Sequence, residues 1–262
     1  MTLMNRILIG VRGSAGVPAP PPDVQSILSL APDVYAALNH NQLPSGPTMW
    51  QDFDQNIPVT EPGQLVAAVK NLGSYGGFFV AEGGATRPEW TGDGLYFDGV
   101  DDSMQLLHPT MGDTLAGFAW ATWFDPGDEL DRTQRAVTDR GPNSPAILRN
   151  TNILNTLYGV PTTNSPTLTE NDGEIRLVLE FERTESGSPT IVKVQYRGAV
   201  TADGTGSGSP RAHTADGTNL GCVRQVDQPA TQHFTGLIRS IAGWNRDFDP
   251  DELSSLPITL GE

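Results

Sequence analysis

Three aspartates that lie close together in the sequence could bind a metal ion. They are Asp98, Asp101 and Asp102, within the segment Phe97-Asp-Gly-Val-Asp-Asp-Ser103. Carboxylate oxygens are the ligands that Ca²⁺ prefers in proteins, so this spacing is compatible with a calcium site. The same residues are also typical of a tight turn, because Asp98-Gly99 suits a hairpin and aspartate side chains accept hydrogen bonds from nearby backbone N–H groups. Calcium is the one cofactor that the sequence leaves open.

The usual catalytic motifs are missing from the sequence. There is no Gly-x-Ser-x-Gly nucleophile elbow and no phosphate-binding loop. None of the histidines lies in a His-Glu-x-x-His frame; they are His40, His108, His213 and His233. The single cysteine, Cys222, excludes an internal disulfide and a cysteine metal cage. We therefore expect a protein that is not an enzyme.

The composition excludes two classes of partner. Among 262 residues there are 16 Lys and Arg against 31 Asp and Glu, a net charge of −15. The negative electrostatic potential of such a protein repels the phosphate backbone of a nucleic acid, so we expect no nucleic-acid partner. No apolar run approaches the roughly 18 residues that a membrane helix needs, so we expect no membrane span. The 29 glycines and 21 prolines predict a turn-rich chain.

The N-terminal residues 1–22 are interpreted as an anchoring arm. Residues 5–12 can form one strand, and residues 13–22 are a stiff, proline-rich spacer. The apolar side chains of the strand are Ile7, Leu8, Ile9 and Val11. A strand this short is not stable alone, so we expect it to add to the sheet edge of another protein. Residues 23–262 are then the folded domain.

Periodicity in the domain predicts mainly strands. Val24, Ile27 and Leu28 indicate a short helix within residues 23–38, interrupted at Pro32. Residues 175–181 alternate between apolar and polar side chains, and residues 118–124 are apolar on both faces, as in a central strand covered on each side. Asp249-Pro250 predicts the start of a final helix of about one and a half turns. These elements predict an all-β, two-sheet antiparallel sandwich with a short C-terminal helix.

Three ordered segments resemble the laminin-G-like, concanavalin A-like jelly-roll family. They are residues 94–106, which contain Phe97-Asp-Gly-Val-Asp-Asp102, residues 117–126, and residues 234–253. The resemblance implies a jelly-roll sandwich with Phe97 and Trp123 buried between its two sheets. Some members of the family bind calcium on sandwich loops, which bears on the three aspartates.

The residues before these segments are similar to the leaders of jelly-roll proteins in tailed bacteriophages. The similar segments are 49–63 and 87–90, within a leader (23–90) that we expect to pack on the jelly roll. The resemblance implies a virion fibre, spike or decoration protein, made in the host cytoplasm. Its implied partners are other virion proteins bound through residues 1–22, further copies of itself, and a host surface polysaccharide.

The lectin-like resemblance also implies candidate sugar contacts. An exposed aromatic ring would stack on a sugar, and the candidates are Trp90, Tyr158 and Trp50. Asparagines that could bind sugar hydroxyls lie in the segment Arg149–Asn155; they are Asn150, Asn152 and Asn155. Two alternatives to a glycan-binding virion protein stay open. One is a secreted carbohydrate-binding or glucan-cleaving protein, and the other is a purely structural capsid decoration.

Glucan-cleaving relatives carry a catalytic Glu-x-Asp-x-x-Glu strand. The nearest segment here is Glu129-Leu-Asp-Arg-Thr-Gln134, in which Gln134 stands at the position of the third acid. An amide cannot act as the general acid or nucleophile of a glycosidase. We therefore expect no hydrolase activity.

Overall fold

The computed structural model describes most of the domain but not the whole chain. The described residues are 18–107, 118–126, 133–139, 146–150, 153–157, 162–167, 175–183, 190–196, 199–206, 217–222, 230–246 and 249–260. The strand predicted for the arm, with Ile7, Leu8, Ile9 and Val11, lies outside these residues, and it stays a prediction.

The described residues form twenty strands and two short helices, α1 (Pro22–Ser29) and α2 (Pro250–Ser255). In chain order the strands are β1 (Val34–Ala37), β2 (Gln42–Leu43), β3 (Gly46–Pro47), β4 (Met49–Trp50), β5 (Gln64–Leu65), β6 (Ala68–Lys70), β7 (Phe78–Ala81), β8 (Glu89–Trp90), β9 (Leu95–Asp98), β10 (Met104–Leu106), β11 (Phe118–Pro126), β12 (Thr133–Asp139), β13 (Ala146–Asn150), β14 (Ile153–Leu157), β15 (Thr162–Thr167), β16 (Ile175–Arg183), β17 (Thr190–Tyr196), β18 (Ala199–Gly206), β19 (Thr218–Leu220) and β20 (Thr235–Trp244). No helix among the residues that the structure describes is long and apolar enough to cross a membrane.

Two large sheets contain nearly all of these strands. The first sheet has the order β18-β17-β16-β11-β20-β9-β8-β5, and β1 pairs with the second half of β20, on the edge that β9 occupies along the first half. The second sheet has the order β15-β14-β13-β12-β19-β10-β7-β6-β4. The pairings within both sheets are antiparallel, so the all-β, two-sheet antiparallel sandwich predicted from the sequence is confirmed. Leader residues contribute strands to both sheets.

The main hydrophobic core fills the space between the two sheets. Phe97, Trp120 and Phe124 extend into it from the first sheet, and Phe79 and Leu220 extend into it from the second. Phe97 is fully buried there, as predicted. Each large side chain buried in this way stabilises the fold by about 1.5–3 kcal/mol.

A second core lies on the outer face of the first sheet. Ala119, Ala121 and Trp123 alternate with the inward residues of β11, so they point away from the main core. Side chains of α1 and of the C-terminal segment belong to this core, together with Tyr35 and Ala37 of β1, and Trp123 Nε1 donates a hydrogen bond to the Pro257 carbonyl at 2.9 Å. The expectation that Trp123 lies between the sheets is therefore wrong. Its side chain is fully buried, but on the outer face beside the C-terminal segment, because strand alternation fixes the face and not what covers it.

The segment expected to hold one interrupted helix contains a helix and a strand. Helix α1 carries Val24 and Ile27 into the second core, while Val34–Ala37 form β1 instead of continuing helically. Both faces of β1 are buried, since Val34 and Ala36 enter the main core and Tyr35 and Ala37 the second. Pairing with β20 determines this outcome, because the apolar spacing alone fits either structure.

A buried carboxylate joins α1 to the turn after β1. Asp23 accepts a hydrogen bond from Asn39 Nδ2 at 2.9 Å, and its Oδ2 lies 3.0 Å from His40 Nε2. Burial raises the pKa of Asp23, but the hydrogen bonds from His40 and Asn39 outweigh it and keep that pKa below its ordinary value. His40 therefore has a structural partner.

The C-terminal helix begins as the sequence predicts. The Asp249 backbone N–H donates to Glu252 Oε2 at 3.0 Å, which is half of a capping box. Arg246 makes a two-pronged ion pair with the same carboxylate, at 2.7 and 2.9 Å. This contact ties the end of β20 to α2 and positions Leu256 in the second core.

Candidate functional site

The three aspartates lie in the turn that joins the two sheets, between β9 and β10. Asp98 Oδ1 accepts hydrogen bonds from the Val100 N–H at 2.8 Å and the Asp101 N–H at 3.4 Å. Asp102 Oδ2 accepts one from the Asp98 N–H at 2.9 Å, and Gly99 adopts a φ of 78°. Two of the carboxylates therefore hold the shape of this turn.

The same carboxylates suit a hard cation. One oxygen from each of Asp98, Asp101 and Asp102 lies within 4.8 Å of the others. Ca²⁺ takes about six to eight oxygen ligands, so water or backbone carbonyls would complete the shell. The donor set fits calcium, and calcium binding stays a prediction.

Burial alters the acidity of Asp102. It is only 7% exposed, and this burial raises its pKa to about 6, with the negative charges of Asp98 and Asp101 adding to the effect. The hydrogen bond from the Asp98 N–H and the nearby His233 oppose the shift. His233 Nδ1 lies 3.3 Å from the Asp102 carbonyl oxygen, so the imidazole ring lies beside the turn.

One row of side chains crosses the outer face of the second sheet next to this turn. Its members are cross-strand neighbours in the register of the sheet, and each sits beside a residue of the main core, so each points outward. We call this set the outer row; it consists of Trp50, Ala68, Val80, Gln105 and Asn219. The sequence analysis singled out one of them, Trp50.

A shallow surface depression lies at the polar end of the outer row. Its walls come from β7, β10 and β19 and the residues that adjoin them: Val80, Glu82, Ser103, Met104, Gln105, Asn219 and Cys222. Gln105 Nε2 is shielded from solvent and has no hydrogen-bond partner among the described residues. A buried amide donor without a hydrogen-bond acceptor lowers the stability of the folded protein by about 1–3 kcal/mol.

Trp50, at the other end of the outer row, forms an aromatic pair with Phe78 of β7. The rings of Trp50 and Phe78 are 5.4 Å apart and meet edge to face. Both side chains are partly exposed, and the turn after β4 exposes Phe53 and Ile57 beside them. From β4 to β10 there are three inter-strand spacings, which place Trp50 about 14 Å from Gln105.

The structure separates the residues predicted to contact sugar. Trp90 is 6% exposed and belongs to the main core, so the prediction that its ring is available for stacking is wrong. Leu95 opposite Trp90 faces inward too, and the pairing of β8 with β9 turns both into the sandwich. Trp50 does reach the outer surface. Tyr158 and Asn152 lie outside the described residues.

The asparagines predicted to share a loop belong largely to a hairpin. Asn150 ends β13 and Asn155 lies within β14, and these two strands pair antiparallel. The glucanase-like segment is only partly described: Gln134 lies in β12, whereas Glu129 and Asp131 lie outside the described residues. His108 and His213 also lie outside them.

Sequence reasoning missed Gln105 and Glu82. Gln105 lies between Met104 and Leu106, and this alternation marks it as an outward residue of a strand. Nothing local indicated that Asn219, more than a hundred residues later, would pair with it. An exposed aromatic on the opposite face of the sandwich, Tyr96, was also missed.

Solved structures of carbohydrate-active proteins share this fold. The Trypanosoma rangeli sialidase in complex with 2,3-difluorosialic acid, a covalent intermediate, is 14% identical with a TM-score of 0.51, over 96% of this chain and 35% of that chain. A mutant of the same sialidase displaying trans-sialidase activity is 14% identical with a TM-score of 0.50, over 88% and 33%. This chain therefore spans about a third of the length of the sialidase.

A smaller solved domain is similar over nearly its whole length. Domain 4 of AbnA, a GH43 extracellular arabinanase from Geobacillus stearothermophilus, in complex with arabinotriose, is 16% identical with a TM-score of 0.47, over 86% of this chain and 97% of that chain. No protein-family model and no curated protein sequence matches the chain. The structural likenesses show a lectin-like β-sandwich fold.

Proposed function

We propose that this chain is a non-enzymatic carbohydrate-binding protein, and that the outer row of the second sheet holds the glycan. One observation carries the proposal: Trp50, whose ring meets that of Phe78, lies on the same sheet face as a cluster of polar groups, with about 14 Å between the strand positions of Trp50 and Gln105. Aromatic rings stack on the apolar faces of sugars, while amide, carboxylate and hydroxyl groups bond their hydroxyls. The Trypanosoma rangeli sialidase, which shares the fold, was solved in complex with 2,3-difluorosialic acid, and this supports a sugar as the class of ligand.

The length of the outer row favours an oligosaccharide over a single sugar. Ala68 and Val80 lie between Trp50 and Gln105; Val80 is partly exposed, whereas Ala68 is fully buried. A chain of sugars can therefore contact Trp50 at one end and the depression at the other. The net charge of −15 favours neutral glycans over acidic ones.

A binding role without catalysis is supported by what the described carboxylates do. A glycosidase needs two carboxyl groups that flank the scissile bond. Asp98 and Asp102 instead accept hydrogen bonds from the backbone of their own turn. In the glucanase-like segment, Gln134 replaces an acid.

The decisive experiment compares two aromatic substitutions. Trp50→Ala removes the ring at the outer row, and Tyr96→Ala removes an exposed ring from the opposite outer face. On a glycan array, and then by calorimetry with the best oligosaccharide, we expect Trp50→Ala to weaken binding about tenfold and Tyr96→Ala to leave it unchanged. Equal losses in both variants, or no glycan binding by the wild-type protein, would refute the proposal.

The setting that we propose for this activity is the virion of a tailed bacteriophage. Its support comes from the sequence: the leader similar to those of phage jelly-roll proteins, and the arm of residues 1–22. In this setting the arm binds other virion proteins, the sandwich occurs in several copies, and the glycan is a host surface polysaccharide.

Deleting residues 1–22 tests the virion setting separately. We expect the truncated chain to stay folded and to bind glycans, because the described sandwich is built from residues after the spacer. We also expect it to be lost from purified particles, which quantitative mass spectrometry of the virions would measure. Incorporation at the wild-type copy number would contradict the anchoring role and leave the glycan site unaffected.

A further inference from the structure

The first sheet ends in a long strand whose outer edge is open in the part of the chain that the structure describes. Strand β18 (Ala199–Gly206) has eight residues, and within that part of the chain it pairs with β17 alone. In an antiparallel pair alternate residues bond to the partner, so about half of the backbone N–H and C=O groups of β18 point to the open side. Native proteins protect such edges, because they pair readily with another strand. The edge of β18 is therefore a site for one further strand.

The other strands at the ends of the described sheets are short, blocked or already bonded. Strands β2 to β5 have two residues each, and a bridge to Pro58 occupies the edge of β4. On β1, the Tyr35 N–H donates to Asn71 Oδ1 at 2.7 Å, and the Tyr35 carbonyl accepts from the Leu72 N–H at 2.7 Å. Strand β15 contains Pro166, which cannot donate to a ladder. Among these end strands, β18 is the one that offers eight residues without proline.

The arm predicted from the sequence matches this edge in length and in charge. Residues 5–12 are also eight in number, contain no proline, and carry the four apolar side chains of the arm, which are compatible with a strand. Residues 1–22 include Arg6 and Arg12 and no acidic residue, so the net charge of −15 for the whole chain leaves −17 on the remainder. Electrostatic attraction therefore draws the arm towards the domain.

The register of the first sheet places the edge of β18 within reach of the arm of the same chain. Helix α1 begins beside the end of β1, where Asp23 bonds to His40. Successive pairings carry the level of Ala37, the last residue of β1, across the sheet to within one residue of Ala199 at the start of β18. Five inter-strand spacings, about 24 Å, separate the two strands. The nine residues 13–21 span up to about 28 Å as a proline-rich spacer.

We propose that residues 5–12 add to the open edge of β18 in the same chain, as a further antiparallel strand of the first sheet. Arriving from the spacer, Arg12 lies next to Ala199 and Asn5 lies next to Gly206. The contacts are main-chain hydrogen bonds, as in other cases of strand addition. This inference does not depend on the glycan site of the second sheet. A strand held in this way can exchange its edge for that of another protein, which keeps the arm available for the virion anchoring proposed above.

The arm of a second copy competes poorly for the same edge. A nine-residue link holds the arm of the same chain at an effective concentration in the millimolar range. A second copy must also bring its own net charge of −15 up to the first, and like charges repel. The edge of β18 is therefore closed within one chain before any other chain reaches it.

Hydrogen–deuterium exchange of the full chain measures whether the edge is covered. Replacing both Leu8 and Ile9 by proline removes a donor from whichever of the two faces β18, and replacing both Ser14 and Ala15 by proline is the matched control within the spacer. We expect amide exchange in β18 to be at least about tenfold faster in the first variant than in wild type, and unchanged in the control. Equal exchange of β18 in wild type and in the first variant would overturn the proposal.

Cysteine pairs in the full chain test the direction of the arm and the chain that supplies it. Arg12→Cys with Ala199→Cys brings two thiols together in the proposed arrangement, whereas Asn5→Cys with Ala199→Cys keeps them apart by the length of the arm strand. The native Cys222 is buried, so it does not compete for a short bismaleimide cross-linker. We expect the first pair to give a cross-linked monomer, identified by intact mass, and the second pair to give none.

The other results of the cross-linking experiment contradict the proposal in distinct ways. A cross-link of the first pair between two chains would assign the edge to the arm of a second copy. A cross-link of the second pair alone would mean that the arm runs in the opposite direction, which the reach of the spacer does not explain. The absence of any cross-link in both pairs would remove the arm from this edge. All three results leave the proposed glycan binding in place, because the outer row lies on the other sheet.

Discussion

The turn between the two sheets contains a buried acid whose removal should stabilise the protein. Asp102 is 7% exposed, and burial raises its pKa from 3.8 to about 6. The folded protein therefore holds this proton more tightly than the unfolded chain. The stabilisation that comes from this bound proton is complete below about pH 4 and is lost as the pH rises through about 6. A difference of about two pKa units, at about 1.4 kcal/mol each, gives about 3 kcal/mol.

The substitution Asp102→Asn should remove this pH dependence. Asparagine keeps an oxygen that can accept the Asp98 N–H hydrogen bond, but it carries no charge to bury. We expect the variant to gain up to about 3 kcal/mol relative to wild type between pH 4 and pH 7.5. Urea denaturation in EDTA at half-unit pH steps measures the free energy of unfolding of both proteins. Subtracting one from the other removes the contributions of the many other carboxylates, which the two proteins share.

Asp101→Asn is the matched control, because it removes the same charge from a more exposed position in the same turn. A difference between wild type and Asp102→Asn that stays constant from pH 4 to 7.5, or follows the Asp101→Asn profile, would refute the reasoning from burial. Repeating the series with millimolar CaCl₂ tests the calcium prediction. If calcium binds, it stabilises wild type above pH 6 and reverses the advantage of the variant.

The remaining predictions concern packing. Trp123→Ala should lower the free energy of unfolding by about 3–5 kcal/mol by opening a cavity in the second core, while Trp123→Phe should cost less. Urea denaturation measures both, and a loss under about 1 kcal/mol for the alanine variant would contradict the burial of Trp123 in that core. Gly221→Ala should destabilise the folded protein by about 2 kcal/mol or more, because Gly221 has a φ of 76° and a Cβ there would lie 2.2 Å from the Phe97 ring. Gly83→Ala is the control, since a Cβ at that position meets nothing within 4 Å, and it should leave the thermal melt of the protein nearly unchanged.

The fold class follows from local patterns in the sequence. Alternation in residues 175–181 and the doubly apolar segment 118–124 indicate strands, and the structure has β16 and β11 there. The Asp249-Pro250 start of α2 is equally local, because a cap depends on residues within one turn. These features can be predicted from the sequence because side-chain periodicity and helix capping depend only on residues that are close together in the chain.

The use of each face was decided only by the tertiary structure. Trp90 and Trp123 look alike in the sequence, yet Trp90 faces the main core and Trp123 faces the second core. The outer row draws its residues from positions 50 to 219, on strands that become neighbours only through long-range antiparallel pairing. The Nε2 atom of Gln105 is shielded from solvent, without a hydrogen-bond partner among the described residues, only because β7 and β19 flank its strand. Alternation in the sequence indicates that each strand has two faces. Non-local strand pairing and the layers that cover each sheet determine which face becomes core and which remains available for a ligand.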